Sequence, residues 1–218
     1  MVAEDAAAAA DDRSAAMHAA WEERYAAADR VWSGRVNAAV AATVAGMAPG
    51  TALDIGSGEG GDVLWLAEHG WHATGLDVSP TAVRRAGELA AERGLTATFV
   101  VGDGAASIDG AFDLVLASFL HSWDPEFPRI RLLRDAADRV APGGRLLVLS
   151  HAAPPPWSRH AHDDGVRLLT PEQELELLAL DPSVWETELC EVRPREATGP
   201  DGQAATLEDG ILLLRRSA

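Results

Sequence analysis

The stretch best suited to bind a ligand is T-A-L-D-I-G-S-G-E-G-G at residues 51–61. An apolar run ends at Asp54-Ile55, Gly56, Gly58 and Gly60 follow at alternate positions, and an apolar helical pattern begins at Val63. Glycine allows a tight turn and a close approach of the backbone to a ligand, because it has no Cβ. The order strand, glycine loop, helix therefore predicts a site for a nucleotide-like ligand.

The glycine spacing alone leaves two ligands open. Gly56, Gly58 and Gly61 also fit G-x-G-x-x-G, which is typical of dinucleotide sites. Asp54 distinguishes them, because its carboxylate would repel a pyrophosphate and attract a cation. S-adenosylmethionine (SAM) carries a sulfonium and an ammonium and has no phosphate, so Asp54 favours SAM over NAD.

A second acidic residue stands at the spacing expected for a ribose contact. Residues 71–78 have the pattern of a strand that ends in Asp77, about twenty residues after the glycines. A carboxylate there accepts hydrogen bonds from both ribose hydroxyls. Ser79-Pro80 is a helix start, with serine as N-cap and proline in the first turn. We therefore predict that Asp77 binds the ribose.

Three features resemble the class I SAM-dependent methyltransferases. D-I-G-S-G-E-G at 54–60 looks like their motif I, A-P-G-G-R-L-L-V at 141–148 is family-like, and the strand patterns at 184–193 and 206–216 fit a terminal antiparallel hairpin. W-E-E-R-Y followed by V-W-S-G-R-V-N resembles the tellurite-resistance and thiopurine methyltransferase-like branch. The resemblance implies an α/β, Rossmann-like, seven-stranded sheet of order 3-2-1-4-5-7-6, with the last strand antiparallel and helices on both faces.

The resemblance also implies a set of cofactor contacts. An acid at position 103 would take the adenine amine, the next amide would contact the ring, and a carbonyl near Ser118 would hold the SAM ammonium. Tyr25 and Trp32 would lie near the sulfonium, which aromatic faces stabilise, although both could instead simply pack helices onto the sheet. The predicted cofactor-binding residues are Tyr25, Trp32, Asp54, Gly56, Ser57, Gly58, Gly60, Asp77, Val78, Asp103, Gly104, Ser118 and Phe119.

Two histidines follow the apolar strand patterns at 111–117 and 144–150. His121 and His151 stand where the carboxyl ends of these strands would meet a ligand. Histidine has a pKa suited to accepting a proton near neutral pH, so both are candidate general bases. Either could instead be a structural histidine at a loop base.

The composition limits the partners. At 218 residues the chain fits one domain, and its net charge of −16 argues against nucleic acid and anionic membrane surfaces. Cys190 is the only cysteine, so no internal disulfide or thiolate zinc site can form. The acidic, alanine-rich start lacks the features of a signal peptide, which predicts a cytoplasmic protein. We expect a monomer or homodimer.

We divide the chain into a disordered lead-in at 1–13 and a single domain at 14–218, with a helical lid at 14–48 and a core at 49–218.

The loop at 153–167 contains His160, His162 and Asp163, which are metal-capable residue types. A polar surface loop explains the same residues, so we predict no metal.

The sequence thus predicts SAM-dependent methyl transfer to a small molecule, with S-adenosylhomocysteine (SAH) as product. The acceptor atom could be sulfur, oxygen or nitrogen, and a thiol or chalcogenide is favoured because a soft nucleophile needs little help from a base. Two alternatives remain. One is an NAD-binding oxidoreductase on the same glycine pattern, and the other is a SAM-binding module without catalysis.

Overall fold

A computed structural model describes residues 2–122, 124, 126–158, 168–199 and 201–218, with the backbone alone for 2–13. This part of the chain forms six α-helices and seven β-strands. The helices are α1 Val2–Ala26, α2 Ala38–Val44, α3 Gly61–Glu68, α4 Pro80–Glu92, α5 Arg129–Ala137 and α6 Pro171–Leu178. The strands are β1 Thr51–Ile55, β2 His72–Asp77, β3 Thr98–Val101, β4 Phe112–Ser118, β5 Val140–His151, β6 Trp185–Thr198 and β7 Ala204–Arg216.

All seven strands join one sheet in the order β3-β2-β1-β4-β5-β7-β6, which confirms the predicted topology. The first five strands in that order form four parallel pairs. β7 runs antiparallel to both β5 and β6. The carboxyl ends of β1, β2, β4 and β5 therefore meet at one edge, where an open α/β sheet binds ligands.

The middle of the sheet is buried on both faces. β4 contributes Leu114 and Leu116 to one apolar cluster and Val115 and Ala117 to the other, and all four are fully buried. An uninterrupted apolar strand of this kind is expected where helices cover both faces of a parallel sheet. The site at the sheet edge consequently rests on a rigid, well-packed base.

Local sequence signals account for several helix ends. The Ser79 hydroxyl accepts from the Ala82 amide at the start of α4, as predicted, and Thr170 and Gln173 form a reciprocal capping box at α6. α1 begins at Val2, whereas we expected residues 1–13 to be a disordered lead-in. The alanine run in this segment explains the helix, because alanine has the highest helix propensity.

The Pro142-Gly143-Gly144 segment lies inside β5. β5 starts at Val140, and the pairing with β4 passes from Phe112↔Val140 to Leu114↔Arg145, so the segment forms a bulge inside the strand. Gly143 has φ +80°, and a Cβ on Gly144 would lie 2.9 Å from a backbone oxygen of β4. Both positions therefore require glycine.

No helix in the described ranges combines the length and apolarity needed to span a membrane. Those ranges also contain no group of three or more histidine, cysteine or acidic residues placed to hold a metal ion. His160, His162 and Asp163, which we considered as metal-capable, lie outside the described residues.

Candidate functional site

The glycine loop after β1 lies at the centre of the candidate site. Gly56, Gly58 and Gly60 have φ values of +74°, +53° and +81°, which favour glycine. The amides of Gly56 and Ser57 donate to the Leu76 carbonyl at 2.8 and 3.0 Å, which ties the loop to β2. A Cβ on Gly58 would lie 2.9 Å from the Tyr25 hydroxyl, so the loop and an aromatic cover approach each other as closely as the backbone allows.

Asp54 places an unsatisfied carboxylate at the end of β1. The residue is 3% exposed, and its Oδ1 has no hydrogen-bond partner among the described residues. Burial raises the pKa of Asp54 well above its usual range, and the charges of Asp62 and Asp77 raise it further. A buried acceptor surrounded by other acids is suited to a cationic ligand, so the ammonium and sulfonium of SAM fit this position.

Asp77 links the end of β2 to the glycine loop. Its Oδ2 accepts from the Gly58 amide at 2.8 Å, and its Oδ1 accepts from the Ser79 amide at 2.9 Å. Burial raises the pKa of Asp77, while these two amide bonds oppose the rise. Each carboxylate oxygen has further lone pairs, so Asp77 can still accept hydrogen bonds from a ribose.

Tyr25 and Trp32 form the cover over the glycine loop. Trp32 Nε1 donates to the Tyr25 hydroxyl at 2.9 Å, and both side chains lie beside Gly58. Tyr25 is 3% exposed and Trp32 is 46% exposed. Burial, with the Asp77 charge, raises the pKa of Tyr25. The Arg24 guanidinium lies 5.1 Å from the centre of the Trp32 ring, a contact that sequence analysis missed.

Glu59, also missed by sequence analysis, holds this cover in place. Its Oε2 accepts from the amides of Val31 and Trp32 at 3.1 and 3.0 Å, and its Oε1 pairs with Arg85 at 3.1 Å. Arg85 also donates to the Ala28 carbonyl at 2.7 Å. One buried carboxylate therefore connects the glycine loop, α4 and the link after α1.

Two other acids make equivalent contacts. Asp62 accepts from the Asn37 amide at 2.7 Å, which fixes the start of α2 against the start of α3. Glu22 on α1 accepts from the Ser79 hydroxyl and from the hydroxyl and amide of Thr81, all at the start of α4. These partners are far apart in sequence, so no local pattern could have indicated them.

The residues after β4 form the second wall of the site. Phe119 has φ +52°, which is uncommon for a non-glycine residue, and its amide donates to the Leu149 carbonyl at 2.9 Å. Leu120 lies against Gly56, since a Cβ there would be 2.8 Å from Leu120 Cδ1. Ser118 Oγ is buried without a hydrogen-bond partner in the described part of the chain. The loop after β4 thus meets the glycine loop, as the sequence predicted.

His121 lies at this wall in its neutral form. Its Nδ1 is 2.7 Å from the Phe119 carbonyl oxygen, which can only accept, so Nδ1 carries the proton. Burial, together with the nearby His151, lowers the pKa of His121 to about 4. We expected a pKa suited to proton uptake at neutral pH. The structure differs because desolvation makes this imidazole a weak base.

His151 ends β5 and faces His121 and Phe119. Its ring centre is 5.3 Å from that of His121, edge to face, and 4.4 Å from that of Phe119. On its other side, Nδ1 lies 3.6 Å from Oδ1 of Asp209, its register partner on β7. Sequence analysis predicted that the two histidines lie at the same edge of the sheet, but it did not identify Asp209 as a neighbour of His151.

The predicted adenine contacts lie beyond the end of β3. Asp103 is exposed and accepts from the Ser107 hydroxyl at 3.4 Å, and Gly104 is buried against Leu132. Val78 follows Asp77 and is half-buried. These positions are compatible with the predicted roles, which stay predictions.

A seven-stranded sheet of this order, with antiparallel β7 between β5 and β6, is the fold of the class I SAM-dependent methyltransferases. Residues 52–144 match the family model for a methyltransferase domain. SAM is the cofactor of that class, and the unpartnered Asp54 oxygen and the glycine cradle fit it.

Individual proteins agree with this assignment. The chain is 40% identical over 116 residues to 2-heptyl-1-hydroxyquinolin-4(1H)-one methyltransferase from Mycobacteroides abscessus, covering 51% of each chain. It thus spans about half the length of that relative. A solved structure from work on the conversion of a disulfide bond into a thioacetal group during echinomycin biosynthesis matches with TM-score 0.68 and 28% identity, over 86% of this chain and 85% of that one. TehB from Haemophilus influenzae matches with TM-score 0.66 and 17% identity, over 84% of this chain and 63% of that one. At this identity the match shows a likeness of fold alone.

Proposed function

We propose that this protein transfers the methyl group of SAM to a small-molecule acceptor, with SAH as product. The observation that carries the proposal is the buried, unpartnered Asp54 oxygen beside the glycine loop. A cation compensates such a carboxylate, whereas a dinucleotide pyrophosphate would be repelled by it.

Each part of the site then has a role in binding. Asp77 accepts from the ribose hydroxyls, Asp103 and Gly104 contact the adenine, and the backbone near Ser118 holds the ammonium group. Tyr25 and Trp32 lie over the glycine loop and present aromatic faces to the sulfonium. When bound, SAM supplies an activated methyl group, and the chain aligns the acceptor with it in a site shielded from water.

Two observations support a small acceptor. The Mycobacteroides abscessus relative is named for a quinolone, which is a small molecule. The net charge of −16 opposes binding to nucleic acid. Sulfur, oxygen and nitrogen acceptors all fit this proposal, including the thiol or chalcogenide that the sequence favoured. We also propose a cytoplasmic location and a monomer or homodimer.

The two alternative functions are less well supported. An NAD-dependent oxidoreductase would need a pyrophosphate beside Asp54, and its sheet would be expected to continue with parallel strands instead of the β6–β7 hairpin. A SAM-binding module without catalysis would leave the paired imidazoles of His121 and His151 at the ligand edge without a role.

The experiment is incubation with methyl-tritiated SAM against a panel of phenols, thiols, amines and carboxylic acids. We expect label in at least one acceptor class and stoichiometric SAH. Asp54→Asn should lower the label at subsaturating SAM by at least about tenfold, while Asp109→Asn, the same change at an exposed position, should not. Tight SAM binding with no labelled product from any class would favour the non-catalytic module instead.

A further inference from the structure

The His151–Asp209 contact is the feature of the site that the proposed function leaves unexplained. The two residues are register partners at the ends of β5 and β7, with 3.6 Å between Nδ1 and Oδ1. Asp209 is 2% exposed, an unusual burial for a carboxylate. The separation is slightly longer than a hydrogen bond, as is common for catalytic contacts in ligand-free enzymes.

Arg195 keeps the Asp209 carboxylate ionised. The Arg195 guanidinium binds both carboxylate oxygens of Asp209 from β6. Burial alone would raise the pKa of Asp209, but the interactions with His151 and Arg195 together lower it. A carboxylate accepts only, so it directs the proton of neutral His151 to Nδ1 and leaves Nε2 as the acceptor.

Gly210 allows this arrangement. A Cβ at position 210 would lie 2.8 Å from Ser150 Oγ and 3.0 Å from the Pro171 ring, so the close packing of β7 against Ser150 and α6 favours glycine here. Gly210 pairs with Ser150 in the same register that pairs Asp209 with His151. The polar pair is therefore built into the strand pairing.

His121 is unsuited to the same task. Burial favours its neutral form, and its Nδ1 donates to the Phe119 carbonyl. Among the described residues, Asp209 and Arg195 lie on the side of His151, and the charges of Arg129 and Arg24 act on His121. The Asp209 carboxylate lies within ion-pair distance of His151 and would stabilise it when protonated.

We infer that Asp209 positions His151 as the general base of the proposed methyl transfer, and that the acceptor therefore carries a hydroxyl group. This inference rests on the proposed function. The acceptor oxygen attacks the methyl carbon, the carbon–sulfur bond breaks with its electron pair on sulfur, and the hydroxyl proton passes to Nε2 of His151. The imidazolium later releases that proton to water, which leaves a methyl ether and SAH.

The first test reads the His151 tautomer in the full-length protein without substrate. Long-range ¹H–¹⁵N correlation spectra, which distinguish the two imidazole tautomers, should show the proton on Nδ1. In Asp209→Asn the donor-only Arg195 should hold the amide oxygen and turn the amide NH₂ toward His151, which moves the proton to Nε2. Glu208→Gln, an exposed neighbour on the same strand, is the control and should keep the wild-type spectrum. A wild-type Nε2–H tautomer would overturn the inference.

The second test compares acceptors that differ in their need for a base. Phenol is protonated near neutral pH, whereas thiophenol ionises unaided. Asp209→Asn should lower kcat for phenol by about 100-fold and change kcat for thiophenol by less than about threefold, with an unchanged Kd for SAH. Equal losses with both acceptors would overturn the positioning role. If the wild type transfers methyl to neither acceptor, that result counts against the proposed function. The tautomer measurement would still decide whether Asp209 orients His151.

Discussion

The indole Nε1 of Trp32 donates a 2.9 Å hydrogen bond to the Tyr25 hydroxyl, directly over Gly58. The bond joins the link after α1 to the helix itself, so that two aromatic rings cover the loop as a unit. Tyr25 is buried and Trp32 is half-exposed. Trp32 is consequently the member of the pair that can be replaced without disturbing the core.

Replacing Trp32 tests the contact with the sulfonium. Trp32→Leu should weaken SAM binding by about fivefold, because a cation over an aromatic face contributes about 1 kcal/mol. The affinity for SAH, which lacks the sulfonium charge, should change by less than about twofold. Calorimetry with both ligands measures this difference, and equal losses would assign Trp32 to packing alone.

Replacing Asp54 should have opposite effects on stability and binding. Because burial raises its pKa, the ionised form of Asp54 destabilises the ligand-free protein at neutral pH. Asp54→Asn should therefore keep or raise the Tm without ligand, and should weaken SAM binding by at least about tenfold. A lower Tm with unchanged SAM affinity would show that Asp54 is a structural acid. Asp109→Asn is the exposed control for both measurements.

Glu59 should control the attachment of the aromatic cover. Glu59→Ala leaves the amides of Val31 and Trp32 without their acceptor and removes the ion pair with Arg85, at a cost of about 2 to 4 kcal/mol in unfolding free energy. Hydrogen exchange at the Val31 and Trp32 amides should also be faster in this variant than in the wild type. Glu88→Ala removes an exposed pair with Arg84 and should cost less than about 0.5 kcal/mol. Equal effects of the two changes would contradict the anchoring role.

His121 should make stability depend on pH. Its folded pKa of about 4 lies below the unfolded value of 6.5, so the unfolded state binds the proton more tightly. The free energy of unfolding should therefore decrease as the pH falls from about 6.5 to about 4, by about 2 kcal/mol after allowing for partial solvent access.

Urea unfolding at a series of pH values measures this slope. His121→Gln should have a shallower slope than the wild type in this window, because the substituted side chain does not titrate. His72→Gln, a replacement at an exposed position, serves as the control. Superimposable slopes for the wild type and His121→Gln would contradict the burial of a neutral His121.

Much of the fold could be predicted because its signals are local. The glycine pattern from Gly56 to Gly60 needs positive φ values, the apolar run of β4 indicates a strand buried on both faces, and Ser79 and Thr170 cap helices within three residues. Each signal depends on backbone geometry that neighbouring residues determine. The carboxyl ends of parallel strands then bring Asp54, Asp77, His121 and His151 to one edge.

The residues that sequence analysis missed act over long separations. Nothing in the local sequence marks Glu22, Glu59, Asp62 or Asp209 as buried, and an acid in a sequence is most often a solvated surface group. Their partners lie on other elements, such as Trp32 for Glu59 and His151 for Asp209. The low pKa of His121 was likewise hidden, since burial depends on the complete packing of the site.

The most direct test of the central claim is isothermal titration of the purified protein with SAM, SAH and NAD under the same conditions. Selection of a positively charged, phosphate-free ligand by Asp54 predicts micromolar binding of SAM and SAH, at about −8 kcal/mol, and no detectable heat with NAD. Tight binding of NAD without binding of SAM or SAH would contradict the account.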